Sequence, residues 1–188
     1  MPPKMVFNRS RIIDSSLRIV KEKGMKQLSA REVAKELVSS TRPVYEHFVS
    51  MDELKKEVLQ EMVDLLYDYV TRQYTKNAFL NTGVGYALYA RDHREFFKAI
   101  FLEGNDASVI IDEMLKKLDE EIVKVPELRK LSHAERKDLL KKGWIYTHGF
   151  AVMVFSGYIR NDRDKNIVKM LSEAGAIFVD DALRKHRE

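Results

Sequence analysis

The chain has 188 residues, of which 45% are hydrophobic, and a formal net charge of +4, so it can bury a core in one domain or in two small ones. It contains no cysteine, which excludes disulfides and thiolate metal sites, and we expect neither a metal site nor a cofactor. No stretch approaches 18 apolar residues and the start is too polar for a signal peptide, so we expect a cytoplasmic protein that binds no membrane.

The first predicted helix runs from about Asn8 to Lys23. Its inward face carries four apolar residues at helical spacing: Ile12, Ile13, Leu17 and Val20. Gly24 follows directly and is a typical C-terminal stop, so we expect a turn between this helix and the next.

A short second helix is predicted to begin at Ser29. Ser29 and Glu32 have the spacing of a capping box, in which each residue satisfies a backbone N–H of the other. Four apolar or small residues then form a stripe one helix face wide: Ala30, Val33, Ala34 and Leu37. The small Ala34 lets another helix cross close by.

A third helix follows after a turn at residues 38–40. Ser40 is its expected N-cap, and Pro43 lies in the first turn, where the missing N–H costs least. The helix extends only to about His47, because Ser50 and Glu53 repeat the capping-box spacing and begin the next helix. Two short helices joined by about three turn residues are the layout of a helix-turn-helix.

The outer face of the third helix has side chains that suit DNA. Hydroxyls, a guanidinium, a phenol and an imidazole point outward there: Ser40, Thr41, Arg42, Tyr45 and His47. Arginine can read guanine edges, threonine can bond bases or present its methyl to thymine, and tyrosine or histidine can bond phosphate. The alternative is an ordinary solvated surface helix.

The distribution of charge favours the DNA interpretation. Residues 1–50 contain ten Lys/Arg and five acidic residues, whereas the remaining 138 residues contain 23 and 24. The positive excess therefore lies on the helix-turn-helix segment, as an electrostatic DNA footprint requires.

Every later long segment is predicted to be helical, so the fold class is all-α. The fourth helix starts at Ser50 and extends to about Tyr74, on the order of 35 Å, which is long enough to leave one domain and enter another. Shorter helices follow, the seventh from Asp106 to about Val125. The eighth runs from Ser132 to about Ile159 and the ninth from Asp164 to Lys185.

The last two helices are rich in small residues. The eighth contains Gly143, Gly149, Ser156 and Gly157, and the ninth contains Ala174, Gly175, Ala176 and Ala182. Glycine inside a helix costs about 1 kcal/mol relative to alanine, so its repeated use indicates close approach of another helix. We expect a four-helix bundle with a second copy of the chain; packing within one subunit is the alternative.

The sequence resembles the TetR family of transcriptional regulators. Residues 8–59 match the family's DNA-binding pattern in order and spacing, with matching positions at Ile12, Ile13, Leu17, Gly24, Ser29, Val33, Ala34, residues 44–48, Ser50 and Leu54. The resemblance implies an Ω-shaped dimer of nine- or ten-helix subunits that represses transcription until a small molecule binds. It implies a DNA-binding domain at 1–52 and a ligand-binding and dimerisation domain at 53–188.

The resemblance also assigns roles to residues. Positions that match the family's DNA contacts are Arg31, Thr41, Arg42, Pro43, Tyr45 and His47. Tyr45 and His47 are expected to bond phosphates, while Thr41 and Arg42 face base edges of double-stranded DNA. Three positions depart from the family, which usually has glycine at Val38, an apolar residue at Ser39 and lysine at Met51. Valine makes a turn with positive φ harder to form, and Met51 removes a cation that relatives use near the DNA backbone.

The C-terminal part offers candidates for a ligand site. It is dense in aromatic residues, and our candidates are Tyr89, Trp144 and His148, the last two lying one turn apart on one face. Ordinary core packing is the alternative for each of them. No paired carboxylates, nucleophile–base signature or phosphate loop is present, so we expect no enzyme and no catalytic residues. A TetR-like protein controlled by a protein partner, or without an effector, is the alternative function.

Overall fold

The computed structural model describes residues 7–103, 108–160 and 162–187. Within these ranges the chain forms nine α-helices and no β-strand, which confirms the all-α prediction. The helices are α1 (Arg9–Lys23), α2 (Ala30–Glu36), α3 (Arg42–His47), α4 (Met51–Thr71), α5 (Ala78–Asp92), α6 (Arg94–Phe101), α7 (Ser108–Ile122), α8 (His133–Phe155) and α9 (Asp164–Lys185). The expected start of the seventh helix at Asp106 lies outside the described residues.

The helix starts follow local capping, although not always as the spacing predicts. Ser132 and Glu135 form the complete capping box at the start of α8. Ser29 accepts from the N–H of Glu32, but the Glu32 carboxylate pairs with Lys23. The N-cap of α3 is Thr41, one residue later than expected.

The described residues 7–64 and 95–103 form one compact unit. Its core combines apolar residues from α1 to α4: Ile12, Ile19, Val20, Val33, Leu37, Val44, Phe48, Leu54, Val58 and Met62. Ser15 and Ser16 are also buried and donate to carbonyls one turn earlier in α1. Ile13 and Leu17, expected to face inward, are half-buried, so the core side of α1 is rotated toward the two serines.

The described residues 65–94, 108–160 and 162–187 form a second compact unit. Its central helix is α5, which packs against α7, α8 and α9. One core cluster joins α5, α8 and α9: Val84, Ala87, Leu88, Phe150, Val154, Ile167 and Leu171. Gly85 of α5 meets the end of α4 so closely that a Cβ at this position would overlap the carbonyl oxygen of Tyr69. Over the ranges that the structure covers, no helix is long and apolar enough to cross a membrane.

Candidate DNA-binding face and ligand cavity

The turn between α2 and α3 is built around Val38, which adopts φ +50°. The N–H of Val38 donates to the carbonyl of Lys35 at 3.1 Å, and the N–H of Ser39 donates to that of Ala34 at 2.8 Å. This pair of bonds is a Schellman motif, whose first residue past the helix is left-handed and usually glycine. The turn therefore forms even though valine stands where the family usually has glycine. It does so with a β-branched residue in a backbone conformation that is unfavourable for such residues.

The third helix presents its polar face to solvent. Val44 and Phe48 are buried, whereas Tyr45 is 56% exposed and the side chain of Arg42 is 83% exposed. Arg31 of α2 and Ser40 are exposed as well, and Thr41, Pro43 and His47 are half-exposed. All seven residues predicted to bind DNA therefore belong to the first compact unit and reach its surface.

Arg9 fixes the end of α3 onto α1 and α4. Its guanidinium bonds Glu53 at 3.0 Å, bonds Glu57, donates to the backbone carbonyl of His47, and lies 4.2 Å from the ring centroid of Phe48. Its hydrogen bond is also the main cause that lowers the pKa of the Glu53 carboxyl. The Arg9 side chain thus connects α1, α3 and α4 at the end of α3.

Two of the predicted DNA-binding side chains already have partners within the unit. Arg42 donates its Nε–H to Glu46 at 2.7 Å, one turn along α3, and its side chain is otherwise 83% exposed. His47 places Nε2 at 2.6 Å from the carbonyl oxygen of Phe7. Because a carbonyl only accepts hydrogen bonds, Nε2 of His47 carries a proton and donates it to Phe7. Only Nδ1 of the ring then remains for another partner.

The second unit contains a cavity of about 40 Å³ between α4, α5, α7, α8 and α9. The lining is mainly apolar and aromatic: Val70, Phe79, Leu80, Thr82, Gly83, Tyr86, Met114, Leu115, Leu118, Leu140, Gly143, Trp144, Tyr146, Thr147, Leu171, Gly175 and Phe178. A volume of 40 Å³ accommodates a few water molecules, whereas ligand pockets usually measure about 300–1,000 Å³.

Trp144 and His148 lie close together, and Tyr86 of α5 lies beside them. The Trp144 and His148 rings lie 5.3 Å apart at 33°, and the Tyr86 hydroxyl lies 2.8 Å from Nδ1 of His148. Burial raises the pKa of Tyr86 and lowers that of His148, so both are neutral at physiological pH. Trp144 lines the cavity directly, and His148 lies behind Tyr86.

Tyr89 lies elsewhere in the second unit. It is fully buried, with its ring 5.6 Å from that of Tyr69 and 5.3 Å from that of His93. It does not line the cavity, so the structure brings together two of the three ligand-site candidates and separates the third.

Sequence reasoning did not single out several residues that shape these sites: Arg9, Glu46, Phe79, Tyr86 and Gly85. Arg9 and Tyr86 act on partners 38 to 62 residues away, which no local spacing reveals. Glu46 had a detectable signal, since it stands four residues after Arg42. Gly83 and Gly85 also interrupt α5 as glycines interrupt α8, and the same argument for close approach applies to them.

Comparisons with known proteins agree with this geometry. The family model for bacterial regulatory proteins of the tetR family matches residues 12–58. No curated protein matches significantly. Among solved structures, the chain is similar to a TetR variant from Acinetobacter baumannii AYE in complex with minocycline, at TM-score 0.62 and 11% identity, covering 96% of this chain and 99% of the other. It is also similar to the TetR family regulator PfmR from Thermus thermophilus, at TM-score 0.53 and 16% identity, covering 93% of this chain and 97% of the other.

Proposed function

We propose that this chain, a member of the TetR family by residues 12–58 and by its helical fold, is a dimeric transcriptional repressor that a small ligand releases from its operator. Residues 1–52 would bind DNA, and residues 53–188 would bind the ligand and form the dimer. The protein would act in the cytoplasm, where the operator lies. The observation that carries the proposal is α3, a short helix whose exposed face holds hydroxyl, guanidinium and phenol groups.

In this proposal the side chains of α3 divide between bases and phosphates. Thr41 and the two Nη groups of Arg42 face base edges, where a guanidinium can bond guanine in a bidentate manner, while Nε of Arg42 binds Glu46. Tyr45 bonds a phosphate through its hydroxyl. His47 does so through Nδ1 as an imidazolium, in which both ring nitrogens donate, since Nε2 already donates to Phe7. Ser40, Pro43 and Arg31 complete the contact face.

Two substitutions test this division. Tyr45→Ala should weaken binding to operator and to random DNA alike, because it removes a phosphate contact. Arg42→Ala should also relax sequence preference, by about 1–3 kcal/mol at one base pair. Tyr158→Ala, at another exposed tyrosine in the second unit, is the matched control. Fluorescence anisotropy with labelled duplexes at fixed salt measures the wild type and all three variants, and equal affinities throughout would reject the assignment.

The dimer is proposed to form through α8 and α9. These helices expose five large hydrophobic residues: Ile145, Tyr146, Met153, Met170 and Ile177. Gly149 lies on the same side of α8 as Ile145 and Met153, and a Cβ added there would meet no atom within 4 Å. An apolar face with open space along a helix is suited to a second copy of the chain, since a dimer doubles the number of recognition helices.

Ligand release is proposed to act through α4, which runs without interruption from Met51 to Thr71. A shift of α4 on ligand binding would change the separation of the two recognition helices, which must reach major grooves about 34–36 Å apart. Crosslinking the two DNA-binding domains at a fixed separation should abolish release. Release from the crosslinked dimer would disprove this mechanism.

A second candidate is a TetR-like regulator that answers to a protein partner or has no effector. The small interior cavity of about 40 Å³ favours it, because no drug-sized molecule fits that volume. Mapping the chromosomal sites that the protein binds, with and without extracts of small metabolites, separates the two. Metabolite-dependent loss of occupancy supports the ligand-controlled repressor.

A further inference from the structure

We infer that the interior cavity and a surface cleft beside it form one ligand site, closed by the ring of Phe79, for an uncharged, mainly aromatic molecule that has a hydrogen-bond acceptor. This inference rests on the proposed ligand-controlled function and specifies the class of ligand. It follows from three features of the second unit: the charge of the lining, a buried indole N–H, and the position of Phe79.

The lining requires an uncharged ligand. Among the described residues around the cavity there is no Asp, Glu, Lys, Arg or His. A charged group that enters an apolar site without a counter-charge loses its hydration, which costs far more than hydrophobic contacts can return. The cleft outside Phe79 contains one charged residue, Asp180, and it is exposed to solvent.

The polar anchor is the indole N–H of Trp144. Its nitrogen is buried and reaches no acceptor in hydrogen-bonding geometry among the described residues, although the hydroxyl of Tyr86 lies nearby. A buried donor without a partner is costly and uncommon in native proteins. A ligand carbonyl, ether or ring nitrogen that accepts from Trp144 would satisfy it, and the flat walls of Trp144, Phe79 and Phe178 suit an aromatic ring.

Phe79 borders both the cavity and the cleft. The cleft measures about 260 Å³ and shares Phe79, Leu80 and Gly175 with the cavity. The ring of Phe79 lies beside two glycines: a Cβ at Gly143 would be 3.1 Å from it, and one at Gly175 would be 3.8 Å away. If the ring turns aside, the two volumes join and reach the lower limit of ordinary ligand pockets, about 300 Å³.

Acetophenone and isopropylbenzene are matched probes for this site, because they share ring and shape but only the ketone has an acceptor. The chain has a single tryptophan, so its spectrum of ¹⁵N-labelled protein has one indole N–H resonance. In the full-length protein we expect acetophenone to move this resonance downfield and isopropylbenzene not to do so. Benzoate, which keeps the ring and acceptors but is charged, should leave it unchanged. An equal shift with benzoate, or no shift with acetophenone, would overturn the inference.

Trp144→Phe separates the hydrogen bond from hydrophobic contact. By calorimetry, it should weaken acetophenone roughly fivefold more than isopropylbenzene, the effect of one net hydrogen bond. Equal losses for the two probes would remove Trp144 as the anchor. The affinity of each probe for the wild type is compared with its affinity for Trp144→Phe. The different hydration of the two probes therefore cancels.

Phe79→Leu tests the role of the ring. The smaller side chain should speed association of acetophenone, measured by stopped-flow quenching of Trp144, while circular dichroism verifies that the variant is folded. An unchanged rate in the folded variant would refute closure by Phe79. These experiments do not include DNA, so they can be compared with the separate measurements of DNA binding. If operator DNA binds but acetophenone does not, only the inferred ligand class is wrong. If acetophenone binds but DNA does not, only the proposed regulatory function is wrong.

Discussion

Val38 gives the most direct test of how this sequence forms its helix-turn-helix. Its φ of +50° costs an L-residue about 1–2 kcal/mol, and a β-branched side chain belongs at the upper end of that range. The side chain is 88% exposed, so glycine would lose almost no buried contact. Both backbone hydrogen bonds of the turn would remain. Against this gain, glycine adds freedom to the unfolded chain, which costs about 0.5–1 kcal/mol.

We therefore expect Val38→Gly to stabilise the first unit by about 1 kcal/mol. Val49→Gly is the matched control, since Val49 is 93% exposed in the same unit and has no positive φ. The control adds the same freedom to the unfolded chain and relieves no strain, so it should destabilise the unit by about 0.5–1 kcal/mol. The difference between the two variants isolates the strain at Val38.

Amide hydrogen exchange in α2 measures this difference locally, because it reports the opening of the first unit even if the second unfolds separately. Protein concentration must be constant, since the proposed dimerisation would alter apparent stability. If Val38→Gly destabilises α2 as much as Val49→Gly does, then Val38 carries no strain and our account of the turn is wrong.

Three further predictions concern other sites. Gly85→Ala should destabilise the protein by more than about 3 kcal/mol in urea denaturation, because the new methyl group would displace the end of α4 at Tyr69; a loss below about 1 kcal/mol would contradict the close approach. Glu46→Gln should raise affinity for random DNA in anisotropy, because it frees the guanidinium of Arg42 from a carboxylate, and unchanged affinity would show that the pair does not limit DNA binding. Gly149→Leu should shift the protein toward monomer in sedimentation velocity without lowering monomer stability, and an intact dimer would place the interface elsewhere.

The helix-turn-helix was predictable because its signals are local. Gly24, Ser29 and Pro43 act within one turn of their own positions, and the observed bounds of α2 and α3 lie within about two residues of the predicted ones. The predictions that failed in this segment concern single hydrogen bonds. Glu32 pairs with Lys23 rather than completing its capping box, since a nearby cation attracts a carboxylate more strongly than a backbone N–H does.

The cavity could not be predicted in the same way. Trp144 and His148 share a helix face, so their proximity follows from spacing, but Tyr86 reaches them from another helix, 62 residues from His148. Tyr89 occurs three residues after Tyr86 and differs from it only in which neighbours α5 meets. A cavity is the small space that remains between many packed side chains. Its volume depends on how closely all of them pack, and sequence periodicity carries no information about that packing.

The glycines of α8 and α9 do not all have the same explanation. Gly143 and Gly175 lie beside the ring of Phe79, so packing within the subunit accounts for both. Gly149 has open space, and a helix-interior glycine there costs about 1 kcal/mol relative to alanine. A monomer would gain that energy from Gly149→Ala and lose nothing. If a second subunit fills the space, the same methyl group weakens the dimer while it stabilises the helix. A variant that weakens association but stabilises folding would therefore indicate a subunit interface at Gly149. A variant that only stabilises folding would indicate a glycine that contacts no second subunit.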